Sequence, residues 1–235
     1  MTDAPGAIRS PNIWGSPQVY ELENRAVDRA GRIDATLLAL AGRVDWSGAT
    51  VLDIGCGTGY FLPRFARTAE RVVGVEPHAP LLPLARERTA GLPHVEVHLA
   101  TAQATGRPDG SVDVAHARWA YFFGPGCEPG LAELSRVIRP GGVAFVIDHD
   151  ATRSTFGAWF RSAWSDYDAE AVERFWRRHG WSQERLTVAW EFDSRADFEA
   201  VVGLEFSPAY AARILTEYPE RTSVDYAVNI WWRRF

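Results

Sequence analysis

Between residues 49 and 148, short apolar runs alternate with stretches of helical periodicity. Short apolar runs bounded by turn residues predict buried parallel strands, and the intervening stretches are long enough to be crossover helices. The five predicted strands are residues 49–54, 71–75, 94–99, 112–117 and 143–148. The three predicted helices are residues 60–68, 79–89 and 128–138. This alternation predicts right-handed βαβ units and a mostly parallel sheet.

The flanking segments follow a different pattern. Residues 1–17 are predicted to be irregular because of their prolines and glycines, and residues 18–41 predict helices interrupted near Gly31. After Asp150 the pattern predicts two helical stretches over 155–180, a strand over 186–192, two more helices and a last strand over 223–233. Because no linker-like segment follows Asp150, we expect one domain over residues 1–235.

The first predicted strand ends in three alternating glycines, Gly55, Gly57 and Gly59, and Asp53 precedes them. A glycine-rich turn between a strand and a helix suits a nucleotide, because the ligand can approach the backbone closely. The dinucleotide fingerprint has the spacing G-x-G-x-x-G and places a pyrophosphate at a helix N-terminus. Here the spacing is G-x-G-x-G, and an acidic residue at position 53 would repel a pyrophosphate. The loop therefore favours S-adenosylmethionine (SAM), which carries an ammonium and a sulfonium, over NAD.

The second predicted strand is followed directly by Glu76, 17 positions after Gly59. A carboxylate at this strand end is placed to accept hydrogen bonds from two ribose hydroxyls. This feature alone does not distinguish SAM from NAD, and the alternative is an exposed loop carboxylate. We interpret Glu76 as a ribose ligand because it lies at the carboxyl end of the strand.

Four segments together resemble the class I SAM-dependent methyltransferases, especially the small-molecule branch typified by ubiquinone and menaquinone biosynthesis methyltransferases. The segments are VLDIGCGTG, VVGVEP, PDGSVDVAHARWAYFF and RVIRPGGVAFVI, in the family's order over roughly 100 residues. The resemblance implies an α/β, Rossmann-like fold with a seven-stranded, mostly parallel sheet and helices on both faces. The implied strand order is 3-2-1-4-5-7-6, with strand 7 antiparallel and formed by residues 223–233.

The resemblance also implies a set of cofactor-binding residues. Asp53 and the backbone around the glycines would hold the methionine part of SAM, Glu76 the ribose, and Thr101 to Gln103 the adenine. Where Thr101 stands, relatives often carry an Asp that accepts from the adenine amino group. The implied cofactor-binding residues are Tyr20, Asp53, Gly55, Cys56, Gly57, Gly59, Glu76, Pro77, Thr101, Ala102, Gln103, Ala117, Arg118 and Trp119.

Four of these residues have more specific expected roles. Ala117 and Arg118 would lie near the methionine, largely through backbone groups. Trp119 would wall the cofactor or substrate pocket, with core packing as the alternative. Tyr20 would lie over the methionine end as part of an N-terminal lid.

Residues 1–45 would form this helical lid segment, 49–150 the cofactor-binding core, and 151–235 the substrate-side helices and last two strands.

Candidate general bases are His149, Asp150 and Tyr121, because ligands bind outside the carboxyl ends of strands in open α/β sheets. A histidine near its ordinary pKa could take a proton from a hydroxyl or phenol. The alternative for His149 is a hydrogen-bonded loop residue, since it lies between two aspartates. His116 and Asp113 fall within the fourth predicted strand, and we expect structural roles for both.

Seven of the ten tryptophans follow Asp150. With Phe156, Phe160 and Tyr167 they could line a pocket for an aromatic or polycyclic substrate. The alternative is packing of the helices on the sheet through bulky residues. The seven are Trp159, Trp164, Trp176, Trp181, Trp190, Trp231 and Trp232.

Composition restricts the other partners. The net charge of −5 argues against a nucleic-acid partner, and all 25 basic residues are Arg, which excludes Schiff-base lysine chemistry. Cys56 and Cys127 have no metal-ligand or disulfide spacing, and we predict no metal site. The absence of a signal-peptide pattern and of a long apolar run predicts a cytoplasmic protein without a membrane partner.

The predicted function is SAM-dependent methyl transfer to the oxygen, nitrogen or carbon of a small organic substrate, with S-adenosylhomocysteine (SAH) as the product. The alternative is a protein that binds the cofactor without transferring methyl, as a regulatory or partner subunit or as an enzyme that uses the scaffold for another reaction. An NAD-dependent oxidoreductase is disfavoured by the glycine spacing and by Asp53. Protein methylation stays open, and so does the choice between monomer and homodimer.

Overall fold

The computed structural model describes residues 2–121 and 124–235, so Phe122 and Phe123, the end of the third resemblance segment, lie outside this description. The described strands form one sheet in the order β3-β2-β1-β4-β5-β7-β6. They are β1 Thr50–Ile54, β2 Arg71–Glu76, β3 Val95–Leu99, β4 Val112–Arg118, β5 Ile138–His149, β6 Ser182–Glu191 and β7 Ser223–Arg234. β7 runs antiparallel to β5 and β6, and the remaining pairs are parallel. The predicted strand order is confirmed.

Helices cover both faces of this sheet. The helices are α1 Pro17–Ala26, α2 Arg32–Ala41, α3 Leu62–Phe65, α4 Leu82–Thr89, α5 Glu128–Val137, α6 Ser154–Ala163, α7 Ala169–Arg178, α8 Arg195–Glu205 and α9 Pro208–Glu217. Alternate residues of β1 belong to two separate apolar clusters, Val51 to one and Leu52 to the other. This two-residue period places one cluster on each face of the sheet. None of these helices is long and apolar enough to cross a membrane.

Two local differences from the predicted elements have backbone causes. The helix predicted over residues 60–68 is only the short α3. Pro63 has no N–H to donate to the carbonyl of Gly59. The surrounding turns use other hydrogen bonds, such as the one from Leu62 N to Gly59 O at 3.2 Å. β5 begins at Ile138 rather than at residue 143, and its pairing with β4 shifts register between Val112 and Val114. Residues 139–142, which separate the predicted helix from the predicted strand, therefore belong to β5, and a bulge accommodates them.

β6 also begins earlier than predicted, at Ser182, and pairs with β7 along its whole length. Exposed and half-buried residues dominate its first half, so the apolar pattern begins only near Leu186. Pairing with a neighbouring strand, rather than burial, therefore sets where this strand starts.

Gly59 is required for helix packing. Its φ is +77°, and a Cβ built there would lie 3.1 Å from both Cα and Cβ of Ala85 on α4. We expect Gly59→Ala to lower the free energy of unfolding by about 2–4 kcal/mol, from left-handed strain and overpacking together. Gly48→Ala is the matched control, since Gly48 has a φ of +67° with open space around it, and it should cost only about 1–2 kcal/mol. Equal losses in urea titrations would contradict this packing role.

Candidate cofactor and substrate site

Three adjoining cavities lie at the carboxyl ends of β1, β2, β4 and β5. The first, here the glycine-loop cavity, is bordered by Asp53, Gly57, Glu76 and Arg118. The second, here the Thr101 cavity, is lined by residues 101–103 and shares Ile8, Pro77 and Ala120 with the first. The third, here the aromatic cavity, shares Ser10, Tyr20 and Trp119 with the glycine-loop cavity. The glycine-loop cavity and the Thr101 cavity together form one cleft. Tyr20 and Trp119 lie at the boundary between this cleft and the aromatic cavity.

Asp53 is a buried carboxylate with one oxygen unused. Oδ1 lies 2.7 Å from Nδ1 of His116, which is the register partner of Asp53 on β4. Within the described part of the chain, Oδ2 is buried without a hydrogen-bond partner. His116 packs in turn against Phe61 and Phe65. The predicted structural role of His116 thus includes holding Asp53, and Oδ2 is a buried acceptor suited to a cationic ligand.

Arg118 ends β4 and lines the glycine-loop cavity. Its Nε and Nη2 are buried and have no hydrogen-bond acceptor in residues 2–121 and 124–235. Its guanidinium carbon lies 4.7 Å from the ring centre of Phe61 and 4.3 Å from that of Trp119. Burial lowers the pKa of Arg118, but a guanidinium stays charged at neutral pH. The sequence predicted a backbone contact here, whereas the side chain itself supplies donors that match a carboxylate.

Trp119 adopts a left-handed backbone conformation, with a φ of +51°. Its N–H donates to the carbonyl of Ile147 on β5 at 2.9 Å, which fixes this turn beside the sheet. Such a conformation in a bulky residue costs about 1–3 kcal/mol and is found mainly at ligand sites. This turn places the Trp119 indole at the boundary between the glycine-loop cavity and the aromatic cavity.

Glu76 ends β2 and is 3% exposed. Oε2 accepts from the N–H of Gly57 at 2.9 Å, and Oε1 accepts from the N–H of His78 at 2.9 Å. Burial raises the pKa of Glu76 to about 7. Each oxygen keeps a second lone pair, so the carboxylate could also accept from two hydroxyl groups.

The Thr101 cavity contains the residues predicted for the adenine. Thr101, Ala102 and Gln103 line it, and the amide of Gln103 donates to the carbonyl of Gly6 at 3.0 Å. Tyr121 also lines this cavity and not the aromatic one, and burial raises the pKa of its hydroxyl. Tyr121 therefore lies beside the residues predicted to border the adenine. It does not line the aromatic cavity, which contains part of the predicted substrate pocket.

The N-terminal segment closes over this cleft. The N–H of Ala4 donates to the carbonyl of Pro77 at 2.9 Å, and Asp3 Oδ1 lies 2.9 Å from Nδ1 of His78. The ring of Trp14 stacks on that of His78 with centroids 4.1 Å apart. The sequence predicted residues 1–17 to be irregular and, by resemblance, residues 1–45 to form a lid segment; Ala4 and Trp14 of that segment lie against Pro77 and His78 beside the cavities.

Three other predicted site residues lie outside the lining of these cavities as described. Gly59 packs under α4, and Ala117 is buried within β4 between β1 and β5. Asp150 accepts from the N–H of Thr152 at 2.9 Å, and its Oδ2 lies 3.5 Å from Nε of Arg185. These contacts give Asp150 a structural environment, and its role as a base stays a prediction.

Aromatic and acidic side chains together enclose the aromatic cavity, whose volume is about 520 Å³. The aromatic lining residues are Tyr20, Trp119, His149, Phe160, Trp164, Tyr167 and Tyr226, and the acidic ones are Glu23, Asp148, Asp166 and Glu205. The predicted aromatic pocket is thus partly present, through Phe160, Trp164 and Tyr167. For the other six tryptophans the packing alternative fits better: Trp159, Trp176, Trp181, Trp190 and Trp231 are buried in the core, and Trp232 is half-buried against it.

His149 lines the aromatic cavity, and its ring meets that of Phe160 edge-on with centroids 4.0 Å apart. Burial lowers the pKa of His149 to about 3, so the imidazole is neutral at physiological pH. Of the three predicted bases, His149 alone is placed among the residues lining this cavity.

The strand order and the glycine loop with Glu76 are those that the resemblance to class I SAM-dependent methyltransferases implied. Residues 52–146 match the model of the methyltransferase domain family. An uncharacterized methyltransferase of Mycobacterium ulcerans is 34% identical over 157 residues, which is 66% of this chain and 60% of that protein. A malonyl-[acyl-carrier protein] O-methyltransferase of Pectobacterium atrosepticum is 33% identical over 49% of this chain and 45% of its own length.

The same fold occurs in a SAM-dependent methyltransferase from Aquifex aeolicus, with a TM-score of 0.58 and 18% identity. That match covers 96% of this chain and 98% of the Aquifex chain. The chain spans 36% to 60% of the length of the curated relatives it matches. Its fold follows from these matches, and its substrate does not.

The pKa of Glu76 gives a pH prediction for SAH binding. A carboxylate accepts from both ribose hydroxyls better than a carboxylic acid does, so bound SAH should favour the ionised form. Below pH 7 the ligand must displace a proton from Glu76, and we expect the Kd of SAH to rise by up to roughly tenfold per pH unit. Above pH 7 the Kd should level off. In calorimetric titrations, Glu76→Gln should bind more weakly and lose this slope, and an unchanged slope would exclude Glu76 as its source.

Proposed function

We propose that the protein transfers the methyl group of SAM to a small organic acceptor held in the aromatic cavity. The observation that carries the proposal is a pair of unsatisfied, oppositely charged groups in the glycine-loop cavity. Asp53 offers a buried acceptor, and Arg118 offers buried donors. The amino-acid tail of SAM carries one ammonium and one carboxylate, which match this pair.

The remaining lining fits the rest of the cofactor in sequence along the cleft. Glu76 would bind the ribose hydroxyls, and Thr101 to Gln103 would border the adenine. When bound, SAM supplies an electrophilic methyl group on a sulfonium, which leaves as a neutral thioether. Tyr20 and Trp119 would flank the path between that methyl and the acceptor, since they line both cavities.

Catalysis then requires little more than alignment. Methyl transfer is an in-line displacement, and holding the acceptor at the correct distance and angle supplies much of the rate enhancement. The N-terminal segment and α1 cover the cleft and would exclude water from it. His149 lines the acceptor cavity, but the pKa of about 3 that burial gives it makes its imidazole a weak proton acceptor, so its role as a base stays a prediction.

The function is tested by incubating the protein with SAM and small acceptors bearing hydroxyl, amine or acidic carbon groups. Mass spectrometry should show an acceptor gaining one methyl group, together with SAH. Tight SAH binding with no methylated product from any acceptor type would favour the cofactor-binding alternative. Binding of NAD in place of SAH would contradict the assignment itself.

Arg118→Met tests the role given to the guanidinium. We expect the affinity for SAH to fall about 30-fold or more, the effect of removing one partner of a buried charge pair. 5′-Methylthioadenosine lacks the amino-acid tail, so its affinity should change less than about threefold. Calorimetry with both ligands separates the carboxylate contact from damage to the fold. Equal losses for the two ligands would contradict a contact between Arg118 and the tail.

A further inference from the structure

The aromatic cavity has a one-sided charge distribution. Four of its lining residues are acidic, and none of those that the structure places in the lining is an arginine. Six of its lining residues are Trp, Tyr or Phe, whose ring faces attract cations. Asp166 is exposed at its mouth, while Asp148 and Glu23 are 2% and 6% exposed. A cavity with these walls repels anions and suits a cationic ligand.

Glu23 on α1 and Glu205 at the end of α8 form a carboxyl pair in this wall. Their side chains hydrogen bond to each other, and the amide of Asn12 donates to Oε1 of Glu205. Two carboxylates in contact cannot both ionise easily, so the pair holds about one proton and one negative charge. Oε2 of Glu23 is buried, and nothing in the described segments of the chain hydrogen bonds to it. The pair therefore has both a charge and an unused acceptor.

Asp148, another carboxyl residue of the lining, repeats this feature. It lies near the end of β5, and its Oδ2 is buried without a donor among the residues that the structure covers. Burial raises the pKa of Asp148 to about 7. α1 and β5 thus each contribute to the lining of one cavity a carboxyl group that has an oxygen without a donor among the described residues.

Burial and the neighbouring Glu205 raise the pKa of Glu23, and the positive charge of Arg118 opposes this rise. Arg118 lines the neighbouring glycine-loop cavity. When the cofactor carboxylate pairs with Arg118, less of that positive charge reaches Glu23. Bound SAH should therefore increase the attraction of the pair for a cation.

We propose that the aromatic cavity takes a primary or secondary arylalkyl amine in its cationic form, and that the amine nitrogen is the methyl acceptor. This inference rests on the proposed function. The bound ammonium gives one proton to the carboxyl pair, which leaves a neutral amine with a lone pair. That lone pair forms the N–CH₃ bond as the S–CH₃ bond breaks, and sulfur retains the bonding electrons. The product carries the positive charge that the sulfonium loses, and SAH leaves as a neutral thioether.

Binding to the SAH-loaded protein tests the substrate class. Calorimetry would compare 2-phenylethylamine and tryptamine with the alcohols 2-phenylethanol and tryptophol and with the acids phenylacetate and indole-3-acetate. The amines should bind at least about tenfold more tightly than the matched alcohols, because a cation gains ring and carboxylate contacts that a hydroxyl does not. The acids should bind most weakly. Alcohols or acids that bind as tightly as the amines, or amines that do not bind while SAH does, would overturn the inference.

Variants of Glu23 and Glu205 test whether the carboxyl pair causes the preference for amines. The double variant Glu23→Gln/Glu205→Gln keeps hydrogen-bonding side chains but removes the charge, and it should weaken amine binding about tenfold. Its affinity for SAH should not fall, because removing negative charge beside Arg118 cannot weaken the contact with the cofactor carboxylate, and retained SAH binding shows that the protein is folded. Glu199→Gln is the matched control, since Glu199 lies on α8 and pairs with Arg195 instead. Unchanged amine binding in the double variant would overturn the role of the pair.

Failure of this inference is distinguishable from failure of the proposed function. If SAH binds and the amines do not, the cofactor assignment stands and the substrate class is wrong. If SAH does not bind to the folded wild-type protein, the proposed function is wrong and the amine proposal falls with it. Methylation of 2-phenylethylamine or tryptamine at nitrogen, read by mass spectrometry, would support both.

Discussion

Burial of the Asp53 carboxylate at the end of a central strand is the constraint on which the cleft depends. Removing a charge from water costs several kcal/mol unless partners replace the lost solvation. His116 replaces part of it, at 2.7 Å, because the register of β1 and β4 places the two residues side by side. The second oxygen remains for a ligand. Arg118 lies two residues beyond His116, on the same face of β4 and nearer the carboxyl end of the sheet.

The cover of the cleft depends on a second set of charged contacts. Arg88 on α4 donates to both carboxylate oxygens of Glu21 on α1 at 2.8 and 2.9 Å, and to the carbonyl of Thr58 in the glycine loop at 3.1 Å. These bonds hold α1 against the glycine loop. α1 in turn contributes Tyr20 to the boundary between the cavities and Glu23 to the aromatic cavity. One short helix thus connects the cofactor side with the acceptor side.

The sheet could be predicted because apolar runs and turn residues are local signals, and the resemblance gave the strand order. The strand-end residues Asp53 and Glu76 followed from the same pattern, since parallel strands present their carboxyl ends at one edge. Local departures came from single backbone effects, such as the missing N–H of Pro63 and the bulge that begins β5. A hydropathy pattern does not record either effect.

The acceptor side could not be predicted to the same extent. Glu23 and Glu205 meet only because α1 packs on α8, and nothing in the sequence near either residue indicates the other. Tryptophan content also could not separate core from cavity, since Trp176 fills the space between a helix and the sheet while Trp164 faces the cavity. The part that Arg118 plays through its side chain depends on which way the chain turns after β4. Such long-range contacts are set by tertiary packing.

A crystal structure of the SAH complex would show directly how Asp53 and Arg118 contact the cofactor. We expect the ligand carboxylate to lie against the Arg118 guanidinium and the ammonium against Asp53. The ribose hydroxyls should then contact Glu76, and the sulfur should face the boundary formed by Tyr20 and Trp119. A ligand bound with its amino-acid tail away from Asp53 and Arg118, or with its sulfur facing away from the aromatic cavity, would contradict the account.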